Sequence, residues 1–206
     1  YSLKRALMQL GPSGFPFEKF IAEILAAEGY LTSTGVIVQG ECVEHEVDVV
    51  AEKSGERIMV EAKYHNQPDT KSDVKVALYV HARFEDIKKR LSHSAAGMGV
   101  FTKAWLITNT SFTSQAIQYA ECAGLALTGW NYPKGHTLQD LVQRTQTHPI
   151  TSLTSLSEHH KSELLSNGIV LCRDIINDPS ILGKMGINKS HAADIVTEGQ
   201  SLCPIV

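Results

Sequence analysis

The stretch from Lys103 to Trp130 constrains the fold more than any other. KAWLIT, residues 103–108, is a near-continuous apolar run, the pattern of a strand buried on both faces. NTSFTSQAIQYAECAG follows, with Ser and Thr to cap a helix start and Gly124 to end it. LALTGW then reads as the next strand. A strand, a helix and a strand of these lengths imply a parallel crossover.

The elements before it fit around such a sheet. FPFEKFIAEILAAEGY carries apolar residues at 17, 20, 21, 24 and 25, the spacing of a helix with one buried face. Pro16 suits its first turn and Gly29 its stop. GVIVQG, EVDVVAE and RIMVEAK are short and rich in β-branched residues, and the last two are separated by a turn at Lys53-Ser54-Gly55-Glu56. SDVKVALYVHARFEDIKKRLSH is a long helical segment without Gly or Pro. Near residues 145–156 the composition turns polar around Pro149, which predicts a linker. Only helical pieces follow. The expectation is an α/β domain over residues 1–147 and a small all-α domain over 148–206, near the lower size limit for independent folding. YSLKRALMQL, within residues 1–12, reads as a helix that could link to an upstream domain.

The 206 residues carry a net charge of −3, so any nucleic-acid contact has to be local. From Lys63 to Lys103 there are eight Lys or Arg against four acids, a middle segment of +4. The four cysteines, at 42, 122, 172 and 203, form no C-x-x-C pair. Cys42 and His45 have ligand-like spacing without a second pair, so free thiols in a reducing cytoplasm are expected rather than zinc. No apolar run is long enough to span a membrane.

DVVAEKSGERIMVEAK, residues 48–63, concentrates the chemistry. A hairpin about Ser54-Gly55 sets Asp48 opposite Glu61. Alternation then puts Glu61 and Lys63 on one face, with Ile58, Val60 and Ala62 on the other. Like charges directly opposite are destabilising, so something positive belongs between them. Lys63 supplies one charge and a divalent metal would supply more. An oxygen-rich set suits Mg²⁺ or Mn²⁺ rather than zinc. Acid-x-Lys occurs four times in the chain, and only Glu61-Ala62-Lys63 lies on a strand with an Asp opposite. The competing reading is a structural ion-pair cluster.

GPSGFPFEKFIAEILAAEGY, HEVDVVAEKSGERIMVEAKYHNQP and AWLITNTSFTSQAIQYAECAGLALTGW together resemble the Mrr-like restriction endonuclease family of the PD-(D/E)xK nuclease superfamily, over roughly residues 11–132. The resemblance implies a restriction-endonuclease-like mixed sheet flanked by helices, and Mg²⁺-dependent hydrolysis of DNA phosphodiesters. It implies metal binding by Asp48, Glu61 and the Ala62 carbonyl, a catalytic Lys63, Glu18 as an auxiliary acid, and Gln67 continuing the strand toward the phosphate. The glycines usual before the Asp are absent from VEHEVDVV. His45 is read as structural. The basic run Lys88, Lys89 and Arg90 could contact DNA phosphates or be a solvated face. MGINKSHAADIVTEG resembles one hairpin of a helix-hairpin-helix domain, with Asn188 in place of the second glycine. From Leu153 to Val206 four basic residues meet six acids, which argues against strong DNA binding by this part. Some family members carry an upstream ATP-cone domain, and a double-strand cut would call for a homodimer. Two rival readings are a nuclease fold that binds nucleic acid without cutting it, and a regulatory protein that docks a partner through its helical part.

Overall fold

The structure is a computed structural model that describes residues 2–92 and 100–203. Tyr1, His93 and residues 204–206, which fall within expected segments, lie outside the described residues. Helix α1 (Leu3–Leu7) and helix α2 (Phe15–Ala27) precede three antiparallel strands, β1 (Leu31–Gln39), β2 (Glu44–Lys53) and β3 (Glu56–Lys63). A two-residue strand β4 (Lys71–Ser72) and helix α3 (Val74–Ser92) lead to β5 (Lys103–Thr108), β6 (Ser111–Phe112), α4 (Ser114–Ala123) and β7 (Ala126–Thr128). The main sheet runs β1-β2-β3-β5-β7, with β5 parallel to both β3 and β7. The crossover predicted from residues 103–130 is therefore present. Thr113 caps α4 through its side chain, and Gly124 ends it in the left-handed conformation.

Two apolar layers sandwich the sheet. Val50, Met59 and Leu106 face Ala77, Val80 and Ile87 of α3 and Ala116 and Ala120 of α4. Val49, Ala51, Ile58 and Val60 face Phe17, Phe20, Ile21 and Ile24 of α2. The β2–β3 pairing runs from Val49 with Val60 to Lys53 with Glu56, closed by Ser54 and Gly55 at positive φ. This is the register expected from the hairpin and its primed turn.

The remaining helices are α5 (Leu138–Thr145), α6 (Glu158–Ser166), α7 (Cys172–Asn177), α8 (Ser180–Lys184) and α9 (Lys189–Leu202). The polar stretch expected as a linker is largely buried instead. Ile150 to Ser152 form a 3₁₀ turn, and Thr147, Ile150, Thr151, Ser152 and Leu153 are buried. The stretch tolerates this because its hydroxyls find partners: Thr151 donates to the Ala6 carbonyl at 2.7 Å, and Thr154 donates to Glu198 at 2.6 Å. Helix α1 likewise packs inward, burying Leu3, Leu7 and, just beyond it, Leu10 in the same cluster as Leu164, Val170 and Ile195. Among the described residues no helix is long and apolar enough to cross a membrane.

Candidate active site

Strands β2 and β3 bring Asp48 beside the end of β3. The pairing of β2 with β1 flanks Asp48 with Thr34–Val49 and Val36–Val47 and skips Asp48 itself. Gly35 stands at the skipped position, at φ 60°. A left-handed residue inside a strand is a glycine position, and it bends the strand locally. Side-chain alternation also slips here: Val47 and Val50 both bury beneath α3, whereas Val49 faces α2. Released from regular pairing, the Asp48 carboxylate accepts the Ala62 backbone N–H at 2.8 Å. The carboxylate thus stands in for a rung of the sheet.

Glu61 and Lys63 follow on β3, Glu61 half-buried and Lys63 exposed. Arg83 of α3 donates Nη1 to Glu61 Oε2 at 2.5 Å and Nη2 to the Glu46 carbonyl. Its guanidinium lies 5.2 Å from the Tyr79 ring centroid. Glu46, Asp48, Glu61, Tyr79 and Arg83 line an open depression of about 300 Å³. Lys63 pairs with Thr108 of β5 through the backbone, and its side chain makes no hydrogen bond or ion pair among the described residues.

Negative charge in and around this depression outweighs its buried cation, Arg83. Burial pushes the Glu18 carboxyl, in the first turn of α2, up to about 7, and Asp48, Glu46 and Glu61 add to the shift. Burial raises Asp48 above the usual carboxylate range, against the Ala62 hydrogen bond and the Arg83 charge. Glu61 is raised by burial and by Asp48, against Arg83 and Lys63. Carboxylates raised by burial and by neighbouring carboxylates mark a site short of positive charge. The donor set is all oxygen, so its chemistry fits a hard divalent cation. Among the described residues no three Asp, Glu, His or Cys side chains converge as metal ligands, and Arg83 holds one Glu61 oxygen.

The chain leaving β3 is held firmly. Tyr64 donates its hydroxyl to the Met8 carbonyl at 2.7 Å, and its ring packs where a side chain on Gly11 would have to go. The buried Asn109 amide accepts the His65 N–H at 2.8 Å and donates to the His65 carbonyl at 2.7 Å. His65 in turn bonds Ser72 at 2.9 Å.

Other expected residues lie elsewhere. Gln67 does not continue the strand: β3 ends at Lys63, and Gln67 is exposed in a turn closed by the Thr70 N–H at 3.2 Å. Lys88, Lys89 and Arg90 are exposed on the last turns of α3 and do not line the depression. His45 bonds Asp86 at 2.8 Å, and Asp86 also accepts the Cys42 N–H, so His45 belongs to the structure that anchors the β1–β2 turn. The four cysteines are free thiols. Sequence reasoning passed over Arg83. Its signal was position, since it falls on the buried stripe of α3 with Val80 and Ile87, where an unpaired charge would be costly.

Comparison with known proteins agrees with this architecture. The profile of a restriction endonuclease family matches residues 11–141, and that of the AF1548-like carboxy-terminal region matches residues 148–203. An uncharacterized protein of Archaeoglobus fulgidus is 39% identical over 183 residues, covering 88% of this chain and 99% of that protein. The crystal structure of AF1548, a protein of unknown function, superposes with a TM-score of 0.74 at 37% identity, over 92% of this chain and 98% of that one. The restriction endonuclease MspJI, solved with a 27-mer oligonucleotide, is 14% identical with a TM-score of 0.44, over 81% of this chain and 34% of that one, a likeness too remote to bear on function. With its sheet, its acidic hairpin and a profile match over most of its length, the chain belongs to the restriction endonuclease family.

Proposed function

We propose that this protein is a metal-dependent endonuclease that hydrolyses DNA phosphodiester bonds. One observation carries the reading: Asp48 of β2 and Glu61 of β3 line one depression, their charges also raise the Glu18 carboxyl on α2, and Lys63 stands at the end of the same strand as Glu61. In this reading Asp48, Glu61 and the Ala62 carbonyl hold Mg²⁺ or Mn²⁺. The ion, when bound, supplies Lewis-acid polarisation of a phosphoryl oxygen. Lys63 orients a water and offers its ammonium to developing charge. Glu18, part protonated near neutral pH, stands by as an acid that can give up or take a proton. The Asn109 clamp on His65 fixes where the chain goes beyond Lys63, and so limits the directions from which the ammonium can approach. Residues 1–147 carry the chemistry, and among the described residues 148–203 form a helical unit packed against them. Two copies would be needed for a double-strand cut.

The test is calorimetric Mn²⁺ titration of the wild type, Asp48→Asn and Lys63→Gln, followed by incubation with plasmid. The wild type should take up metal and nick DNA. Asp48→Asn should lose both, and Lys63→Gln should keep uptake and lose nicking by a hundredfold or more, on the order of a general acid–base contribution. Nicking that persists in both variants would sink the assignment.

A second reading has its own support. Arg83 already neutralises Glu61, as it would in a nuclease fold that binds nucleic acid without cutting it. In that case DNA is retained and neither metal uptake nor nicking appears.

A further inference from the structure

Arg83 is not used in the chemistry above, yet it sits at its centre. It is only 8% exposed, and it is fixed by two bonds, to the Glu61 carboxylate and to the Glu46 carbonyl. A guanidinium cannot be deprotonated in a protein, so its charge is permanent. We propose that Arg83 is the resident counter-ion of the carboxylate cluster, and that it competes with the divalent cation for Glu61 until a phosphodiester draws it away. The inference rests on the metal site proposed above.

The argument is one of charge and geometry. Without metal, carboxylates buried this close need a cation, and Arg83 supplies one. With metal, the same guanidinium becomes a fixed positive charge beside a divalent ion in a partly buried pocket, where charges are poorly screened. It also occupies an oxygen of an expected ligand. Both effects weaken metal binding. In its present position the guanidinium already lies over an aromatic ring that would keep hold of it if the bond to Glu61 were given up. The Tyr79 ring, 59% exposed, lies 5.2 Å from it on the open side of the depression. An arginine resting on that ring would present its planar fork to an oxyanion, the geometry that suits a phosphate. Metal and phosphodiester are then coupled. Each moves Arg83 to the position that favours the other, and the coupling is reciprocal.

The deciding experiment is Mn²⁺ titration of the full chain by calorimetry, without DNA, for wild type, Arg83→Gln, Arg83→Lys and Asp48→Asn. Arg83→Gln should bind Mn²⁺ at least tenfold more tightly than wild type. Arg83→Lys keeps a cation but cannot fork between Glu61 and the Glu46 carbonyl, and should bind several-fold more tightly. It decides the matter if Arg83→Gln does not fold. Equal or weaker binding by the arginine variants, with binding lost in Asp48→Asn, would mean that Arg83 only positions Glu61, and the proposal fails alone. Unchanged binding in Asp48→Asn, or no uptake by any of the proteins, would overturn the metal site and this inference with it.

Discussion

Glu18 shows how the site acts on the fold that holds it. Its carboxyl titrates at about 7 in the folded chain, against an ordinary value of 4.5. Between those two values the folded state holds more protons than the unfolded one, so stability falls as pH rises through that window. Above about 7 the full penalty of a charged Glu18 is present, and below about 4.5 none of it is. Glu18→Gln in metal-free protein should therefore melt at a higher temperature than wild type at pH 8. The two should converge by pH 4.5, as thermal scans across that range would test, and a gap independent of pH would refute the assignment. Asp48 and Lys63 differ as targets for the same reason of context. The Lys63 side chain is exposed and unpartnered among the described residues, so its replacement leaves packing alone. Asp48 bonds the Ala62 N–H, so asparagine, which keeps an acceptor, is a cleaner substitution than alanine. Hairpin register alone predicts Asp48 opposite Glu61, whereas the regular ladder ends at Val49 with Val60 and Asp48 meets the Ala62 N–H through its carboxylate. Arg83 was not legible, because a sequence shows that a charge lies on an apolar stripe without showing which partner it meets.

At the scale of elements, what could be read depended on periodicity. Strands β2, β3 and β5 and helices α2 and α4 carry clear apolar patterns and emerge close to their expected bounds. The pair β4–β6, two residues each, has no pattern to detect, although it tethers the loop beyond Lys63 to the loop beyond β5. The stretch 145–156 misleads for a different reason. Its hydroxyl-rich composition signals solvent, yet the hydroxyls are spent on internal bonds. Glu198 of α9 is the largest of these anchors, accepting from the backbone and side chains of Thr154 and Ser155. Burial works against its charge, but these bonds prevail and hold its carboxyl down at about 2. The sign is opposite to that of Glu18. The stabilisation is complete above about 4.5 and is lost as pH falls toward 2. Glu198→Gln should cost about 1 kcal/mol at pH 7, the lower end for bonds to a partly exposed charge, and should lower Tm by roughly 2–4 °C in a chain of this size. The deficit should shrink on acidification, and a deficit that grows would contradict the mechanism.

The whole molecule shares one apolar cluster across the expected boundary at 147. Leu7 and Leu10 from the amino terminus, Phe17 and Phe20 from α2, and Leu164, Val170 and Ile195 from the helical part belong to it. Arg173 pairs with Glu23 at 3.0 Å across the same boundary. Deleting residues 151–206 therefore cannot leave the rest untouched, and partner-binding tests need point variants instead. A fragment ending at residue 147 should melt well below the full chain and bind a hydrophobic dye, as lost packing exposes the faces of α1 and α2. A fragment as stable as the parent would show that the two parts are energetically independent. Strand β1 forms an outer edge of the sheet. It has nine residues and no charge, with Leu31 and Ile37 turned to solvent. Natural sheets guard such borders with lysine, proline or a kink. Here the left-handed Gly35 is the kink, so the glycine across from Asp48 also makes this border a poorer template for a strand added by a neighbouring molecule.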